Sequence, residues 1–280
     1  MVSQQRKTAL ITGCSEGGIG HALVKEFQAR GLHVFATARS VSKMSSLGSL
    51  PHVTLLPLDV TSSESLAAAA AAVSAETSGK LDFLVNNAGQ QIIMPLLDFD
   101  MAQAKAMYDV NVFGAAAAVQ AFAPLLIAAK GTIVNMTSIT GLMYPPYMSF
   151  YAGTKSSLIS ISEGMRLELK PFGVKVATII VGAVHTNIFA NAPEHKLPPN
   201  SLYKGAEKEI AARATGQDVG ERLGTREDFS RELVGKLLRG ASGRLHVGNM
   251  STMIRIMTTW FPTCVVDYLT VANTGLDHLP

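Results

Sequence analysis

A tyrosine and a lysine four residues apart, Tyr151 and Lys155, carry a clear chemical signal in this sequence. On a helix, residues i and i+4 share one face, so the two side chains would lie close together. An ammonium beside a phenol favours the phenolate, which predicts a tyrosine pKa below its usual value of about 10. Such a phenol can give a proton to an alkoxide, or take one from an alcohol, near neutral pH. The pair fits a proton-transfer site, and two ordinary residues that share a helix face are the alternative for the pair taken alone.

A glycine-rich turn follows the first apolar run, in the segment TGCSEGGIGHALVKEF of residues 12–27. Gly13 permits a tight turn, Gly18 lets backbone N–H groups approach a diphosphate, and Gly20 allows the next helix to pack on the strand. The N-terminus of that helix adds positive potential for phosphates. A purely structural turn is the alternative for an isolated glycine cluster. Its place between a strand and an amphipathic helix favours dinucleotide binding.

The second predicted strand ends in the sequence FATARS, residues 35–40. A site for NAD usually has an acidic residue here to bind the ribose hydroxyls. This chain has Ala38, Arg39 and Ser40 instead, so no carboxylate repels a 2′-phosphate and a guanidinium can pair with it. These residues predict NADP(H) as the cofactor. An exposed arginine on a solvated turn is the alternative.

The elements that must position these residues alternate between short β-branched runs and longer helical segments. Because the strands are apolar on both faces, the pattern predicts a parallel sheet covered on both sides. We expect an α/β fold with a single Rossmann-type, doubly wound parallel sheet of about seven strands and helices on both faces. The strand candidates are residues 8–12, 33–38, 53–58, 81–86, 131–138, 174–181 and 244–248, and the helical segments lie near 19–30, 62–78, 101–129 and 151–170.

Residues 187–225 interrupt this alternation with a polar stretch that contains three prolines. Long insertions of this kind often form lids or binding loops, so we expect a substrate-binding lid over 187–225. No linker divides the chain, which predicts one dinucleotide-binding and catalytic domain over residues 1–280.

Composition excludes several classes of function. The chain is 48% hydrophobic and 16% charged, with a net charge of +3 and no long basic run, so nucleic acid is not an expected partner. Cys14 and Cys264 lack metal-ligand spacing, so no metal is expected, and they suit a reducing compartment. No apolar run predicts an integral membrane span. The apolar stretch 253–271 is expected to pack on the protein or a partner, with a peripheral lipid contact as the alternative.

Several motifs resemble those of the short-chain dehydrogenase/reductase family over approximately residues 6–190. The glycine turn is similar to the family's TGxxxGxG turn, although four residues rather than three separate Gly13 from Gly18. The stretches LDV, NNAG and NVFG at 58–60, 86–89 and 111–114 are also similar to family motifs. The resemblance implies hydride transfer between a nicotinamide and a carbonyl or carbinol carbon.

The resemblance implies a catalytic set made of Asn111, Ser138, Tyr151 and Lys155. Ser138 lies thirteen residues before the tyrosine, as the family's serine does, and would stabilise charge on the carbonyl oxygen. Asn111 would hold a water that links Lys155 to solvent. Thr137 is the alternative hydroxyl, but strand alternation points it to the opposite face.

The resemblance also implies a cofactor-binding set. Asp59 would contact the adenine edge, and a helix N-cap is the open alternative for this residue. Val181 replaces the proline that is common in the family after the sixth strand, while Val184 and Thr186 would still anchor the carboxamide. Glu16 differs from the basic residue found nearby in many NADP-preferring relatives. The expected set is Gly13, Ser15, Gly18, Ile19, Gly20, Arg39, Asp59, Val60, Asn87, Ala88, Gly89, Tyr151, Lys155, Val184 and Thr186.

Substrate choice is expected to depend on residues 139–150 and on the lid. Their side chains are apolar and aromatic, which predicts a hydrophobic small-molecule ketone. These candidates are Leu142, Met143, Tyr144, Tyr147, Phe150 and Phe189. The segments TGCSEGGIG, ATAR and VGAVHTNI are also similar to a fungal branch that includes 1-acyldihydroxyacetone-phosphate reductases and tailoring reductases of secondary metabolism. We therefore expect an NADPH-dependent reductase for a polyketide-like or other secondary-metabolite ketone.

Two alternatives stay open. The first is an acyl-dihydroxyacetone-phosphate reductase, whose phosphate would be bound by Lys196, Lys204 and Lys208 of the lid. The second is a cofactor-binding protein without redox chemistry, such as a scaffold or a pericyclase. The family resemblance also implies a homodimer or homotetramer. We expect a cytoplasmic protein, with a peripheral position on a membrane or lipid droplet as the alternative.

Overall fold

Seven parallel strands form one sheet in the computed structural model, which describes residues 6–189, 192 and 196–279. The spatial order is β3-β2-β1-β4-β5-β6-β7, and every neighbouring pair is parallel. The strands are β1 (Thr8–Ile11), β2 (His33–Ala38), β3 (Val53–Pro57), β4 (Phe83–Asn86), β5 (Thr132–Met136), β6 (Lys175–Val181) and β7 (Gly243–Val247). The predicted doubly wound α/β sheet is confirmed.

The central strands are apolar on both faces because helices cover both sides of the sheet. All residues of β1, β4 and β5 are buried, which leaves no solvent-facing alternation in these strands. The helices are α1 (Ile19–Ala29), α2 (Ser63–Thr77), α3 (Met101–Tyr108), α4 (Gly114–Ala129), α5 (Ser149–Glu168), α6 (Glu207–Thr215), α7 (Arg226–Leu238), α8 (Ser251–Trp260) and α9 (Thr263–Val271). Residues of α1 and α7 share one buried cluster, and residues of α2 and α4 share the cluster on the other face.

The helical segment predicted over 101–129 is continuous but contains a π-helical turn at Asp109–Phe113, between α3 and α4. Such turns occur often at functional sites, and this one carries Asn111. By length and composition alone, Met101–Ala129 could cross a membrane. In this fold Phe122 and Leu126 of α4 pack against the sheet, and a core helix of this kind passes the same test.

A third apolar cluster joins the loops after the strands to the segment expected to form the lid. It includes Tyr147 and Tyr151 together with Leu197 and Ile210. Helix α6 lies within this segment. Residues 190, 191 and 193–195 of the expected lid lie outside the described residues. The described part of the lid therefore has its own apolar contacts beside α5.

Candidate active site

Strand β5 and helix α5 bring three of the predicted catalytic residues together. Ser138 follows β5, and its side chain lies near enough to the Tyr151 hydroxyl to lower the pKa of the phenol. Lys155 Nζ lies 5.7 Å from the centre of the Tyr151 ring and donates to the Met136 carbonyl at 3.0 Å. All three side chains belong to residues that are at most 9% exposed. The spacing of four residues on a helix thus places the phenol and the amine side by side.

The electrostatics of this pair differ from the expectation of an acidic tyrosine. Burial raises the pKa of Tyr151 to about 12, although the nearby Ser138 side chain acts in the opposite direction. Burial also lowers the pKa of Lys155 to about 8. Removal from water disfavours the charged form of both groups, and here it outweighs their mutual attraction. The prediction of a tyrosine pKa below 10 is wrong for the protein alone, where Tyr151 is a protonated acid at neutral pH.

Asn111 lies beside the same site, and its side chain is bound to neighbouring loops. Its Oδ1 accepts from the Gln90 backbone N–H at 2.8 Å, while its Nδ2 donates to Gln90 O at 2.8 Å and to Thr154 Oγ1 at 3.1 Å. A Cβ built on Gly89 would lie 3.3 Å from Asn111 Oδ1 and 3.7 Å from Lys155 Nζ. Since a carbonyl oxygen has two lone pairs, Oδ1 keeps one acceptor site. The water link to Lys155 stays a prediction.

The hydroxyl of Thr137, the alternative to Ser138, is hydrogen-bonded to a neighbouring strand. Its Oγ1 donates to the carbonyl of Ile179 on β6 at 2.6 Å, and the whole residue is 3% exposed. Strand alternation had placed it on the face opposite to Ser138. Among these two hydroxyls, Ser138 is therefore the one that can assist Tyr151.

The glycine turn leaves the N-terminus of α1 free of side-chain caps. The N-cap residue is Gly18, which has no side chain to cap the first turn, and within the described residues no side-chain cap hydrogen bond is present there. Gly18 N donates to Ser15 O at 3.2 Å, which closes the turn just before Ile19 begins the helix. Uncapped N–H groups at a helix N-terminus attract phosphate groups. This arrangement fits a dinucleotide diphosphate.

Asn87 and Ala88 fasten the glycine turn to the end of β4. Asn87 Nδ2 donates to Thr12 O at 2.8 Å and to Gly13 O at 3.0 Å, and Ala88 N donates to Thr12 Oγ1 at 2.9 Å. A Cβ on Gly20 would lie 2.5 Å from both Asn87 Nδ2 and Gly13 O, so only glycine fits there. The glycine turn therefore lies between β1 and β4, where the strand order reverses and where open α/β sheets bind dinucleotides.

At the expected adenosine end, Arg39 is exposed directly after β2. The Asp59 carboxylate accepts from Thr61 N at 2.9 Å and from Thr61 Oγ1 at 2.7 Å. These bonds lower the pKa of Asp59, and the nearby Arg39 charge contributes in the same direction. The N-cap alternative for Asp59 is wrong because Ser62 caps α2. Val60 is buried beside Gly114, and the adenine contact of Asp59 and Val60 stays a prediction.

One cavity of about 400 Å³ joins the catalytic residues to part of the expected cofactor set. The predicted site residues that line it are Ser138, Tyr151, Lys155, Ile19, Asn87, Gly89, Val184 and Thr186. The remaining predicted residues lie outside its lining: Gly13, Ser15, Gly18, Gly20, Arg39, Asp59, Val60, Ala88 and Asn111. The carboxamide-anchoring roles of Val184 and Thr186 and the other assigned roles stay predictions. The fold nevertheless brings the expected nicotinamide end and the proton-transfer pair to one cavity.

The substrate end of the cavity differs from the expected lining. Met143 and Phe189 line it, but the other four candidates do not. Tyr144 is 74% exposed, and the Tyr147 hydroxyl donates to the Thr274 carbonyl at 2.9 Å. The Phe150 ring packs against the Phe99 ring, and the two ring centres are 4.8 Å apart. Leu142 is absent from the lining as well.

Pro145, Met148, Ile188 and Leu223 also line the cavity, and they lie within the stretches 139–150 and 187–225 that were expected to set substrate choice. Met250 and Leu269 line it as well, and neither was predicted as a lining residue. The prediction for 253–271 had left a partner, lipid and the protein itself open, and Leu269 and Thr270 of this stretch lie at the cavity. No local pattern marks them, because their position depends on how α8 and α9 fold back.

Two arginines of the lid line the cavity, and the three predicted lid lysines do not. Arg213 Nε pairs with Asp218 Oδ2 at 2.8 Å, and Arg213 Nη1 donates to Pro146 O at 3.0 Å. Arg222 is exposed at the rim. Lys204 pairs with Glu207 on the outer surface at 2.9 Å. Among the described residues of the lid, Arg213 and Arg222 are therefore the basic side chains at this cavity.

Comparison with known proteins agrees with this geometry. The family model described as short chain dehydrogenase matches residues 7–197. The chain belongs to this family. It is 42% identical over 272 residues to the short-chain dehydrogenase ptmH of Penicillium ochrochloron, covering 97% of this chain and 99% of that protein. As a short-chain dehydrogenase it is an oxidoreductase of the NAD(P)-using type.

Two further comparisons carry information about cofactors. The chain is 40% identical over 204 residues to an NADPH-dependent 1-acyldihydroxyacetone phosphate reductase of Schizosaccharomyces pombe, covering 71% of this chain and 69% of that protein. A short chain dehydrogenase from Burkholderia cenocepacia was solved in complex with NADP. It superimposes with a TM-score of 0.74 at 25% identity and covers 95% and 98% of the two chains.

Proposed function

We propose that this short-chain dehydrogenase is an NADPH-dependent reductase that acts on the ketone of a hydrophobic small molecule, of polyketide-like or other secondary-metabolite type. The observation that carries the proposal is that Ser138, Tyr151 and Lys155 lie together at one cavity, with Lys155 Nζ beside the Tyr151 ring. Apolar cavities with a few convergent polar groups are typical of small-molecule sites.

Tyr151 is in the protonation state that ketone reduction needs. Reduction of a ketone develops negative charge on the carbonyl oxygen, which needs an acid within hydrogen-bond reach. With its pKa raised to about 12, Tyr151 carries its proton at neutral pH and can give it to that oxygen. Ser138 would donate a second hydrogen bond, and Lys155 would supply positive charge beside the phenol. Bound NADPH would supply the hydride.

The proposal of NADPH rests on the residues after β2. Arg39 is exposed and near Asp59, and no carboxylate follows the strand directly. A guanidinium can form paired hydrogen bonds with a 2′-phosphate. The Schizosaccharomyces reductase is NADPH-dependent, and the Burkholderia dehydrogenase was solved in complex with NADP. The residues that would hold the cofactor are the predicted cofactor set of the sequence analysis.

The test is an assay of the purified enzyme with NADPH and a panel of hydrophobic ketones. The reaction is measured by the loss of NADPH absorbance, and the alcohol product is identified. The proposal expects stoichiometric NADPH oxidation and alcohol formation with at least one bulky apolar ketone. Binding of NADPH without oxidation by any ketone, or product formation without oxidation, would instead favour the non-redox class.

A second candidate function, reduction of acyl-dihydroxyacetone phosphate, is favoured by the arginines of the cavity. Arg222 is exposed at the rim, and Arg213 is held at the wall by Asp218. The same panel should therefore include 1-palmitoyl-dihydroxyacetone phosphate and a neutral ketone of similar chain length. Preference for the phosphate that is lost on Arg222→Gln would identify the lipid substrate. Equal or better use of neutral ketones would support the first proposal.

We also propose that residues 1–280 form one domain with a substrate-binding lid at 187–225, and that the chain assembles as a homodimer or homotetramer in a reducing, cytoplasmic compartment. Both cysteines are free. Short-chain dehydrogenases commonly pair through the helices that correspond to 101–129 and 151–170. Phe113 and Leu167 of these segments are 61% and 62% exposed, and exposed apolar side chains support assembly there. Light scattering during size-exclusion chromatography tests the assembly; a monomer at all concentrations would contradict it.

A further inference from the structure

The extra residue of the glycine turn creates two adjacent hydrogen-bond acceptors. Glu16 O accepts from Asn187 Nδ2 at 3.1 Å, and Gly17 O accepts from Arg226 Nη1 at 2.8 Å. Gly17 has φ +79°, and the Asn187 amide fills the space where a Cβ would be. Both carbonyls belong to the part of the turn that is longer than in the family motif.

The two donors come from opposite ends of the lid. Asn187 is the first residue of the segment 187–225, and Arg226 is the residue that follows it. The base of this segment is closed by backbone hydrogen bonds, His185 N to Gly224 O and Gly224 N to Ala183 O, both at 2.9 Å. The lid is therefore attached to the glycine turn at both of its ends.

Packing of the helices holds Arg226 in this position. Helices α1 and α7 share one apolar cluster, in which Phe27 and Leu233 take part. Since Arg226 is the first residue of α7, its guanidinium lies next to the start of α1. Arg226 Nε also pairs with Glu227 at 3.0 Å, and the arginine side chain is 31% exposed. Two nitrogens of Arg226 therefore have partners: one binds a carbonyl of the glycine turn, and the other pairs with Glu227.

We propose that Asn187 and Arg226 are positioning residues that couple the cofactor-binding turn to the lid. The proposal rests on the dinucleotide part of the proposed function and not on the identity of the ketone. A dinucleotide seated on the turn fixes the Glu16 and Gly17 carbonyls and, through them, both ends of the lid. Because coupling between two sites is reciprocal, a fixed lid also strengthens dinucleotide binding.

The test is hydrogen–deuterium exchange of the lid amides, residues 196–224, with and without NADPH at saturating concentration for each variant. NADPH should slow exchange of these amides in the wild-type protein. Arg226→Leu and Asn187→Ala should remove most of that protection, and Arg226→Lys should restore part of it because an amine can still donate to Gly17 O. Arg231→Leu on the same helix, which removes only a surface pair with Asp228, should behave as wild type.

NADPH affinity, measured by fluorescence titration, gives the reciprocal readout. Arg226→Leu should weaken binding roughly tenfold, and Arg231→Leu should leave it unchanged. Exchange of β4 and β5 amides should be the same in all variants, which would show that the fold is intact. Undiminished lid protection by NADPH in Arg226→Leu and Asn187→Ala would overturn the coupling, as would absence of protection in the wild type. Neither result depends on turnover, so failure of the ketone assay is a separate outcome.

Discussion

The buried Lys155 makes the stability of the protein depend on pH in a direction that can be measured. Burial lowers its pKa from 10.5 to about 8. Between these two values the unfolded chain binds more protons than the folded one, so the free energy of unfolding must rise with pH. Integrating this difference gives a gain of about 2 kcal/mol between pH 7 and pH 9.5 for this one group.

The variant Lys155→Met isolates the effect, because methionine is apolar, has similar length and does not titrate. Its loss of the hydrogen bond to Met136 O changes stability by the same amount at both pH values. Tyr151 stays protonated in both folded proteins over this range because burial raises its pKa to about 12. Titrating groups that do not contact Lys155 contribute equally to both proteins and cancel in the comparison.

The assay is urea unfolding of the protein without cofactor at pH 7 and pH 9.5, for the wild type and Lys155→Met. The wild type should gain about 2 kcal/mol relative to the variant over this range. An unchanged difference between the two proteins would show that Lys155 keeps an ordinary pKa. The account of a strongly desolvated lysine would then fail.

Two further predictions concern the cofactor and the packing of α5. Replacing Arg39 with Glu should lower the preference for NADPH over NADH, measured as the ratio of their dissociation constants, by roughly ten- to a hundredfold. The reason is that a cation that can pair with the 2′-phosphate is replaced by an anion that repels it. An unchanged ratio would exclude Arg39 from phosphate binding. Gly153→Ala should destabilise the fold by about 1–3 kcal/mol, since its Cβ would lie 2.6 Å from the Tyr108 hydroxyl. Gly164→Ala, on the same helix with its nearest neighbour at 4.0 Å, should stabilise it slightly, and equal melting temperatures for the two variants would contradict the packing described.

The fold could be predicted from the sequence because its determinants are local. Strands such as β1 carry apolar residues on both faces, and this feature favours a parallel sheet that is covered on both sides. The spacing of Tyr151 and Lys155 likewise fixed their proximity, since one helix carries both. The glycine turn could be placed for the same reason, between its own strand and helix.

The substrate cavity and the electrostatics depend on contacts that are distant in sequence. Tyr147 was expected in the cavity, but its hydroxyl reaches Thr274, 127 residues away. Leu269 was not expected there, and it arrives through the C-terminal helices. The pKa of Tyr151 depends on how completely the surrounding layers exclude water, which a pattern of residue types does not reveal.

The central claim is that Tyr151 gives the proton that completes ketone reduction. Tyr151→Phe retains the ring and removes only the hydroxyl, so its dissociation constant for NADPH, measured by fluorescence titration, should stay within about twofold of the wild type. With a ketone that the wild type reduces, kcat should fall by about 10²–10⁴-fold, the usual contribution of a positioned acid. NADPH oxidation by Tyr151→Phe at the wild-type rate would contradict the claim directly.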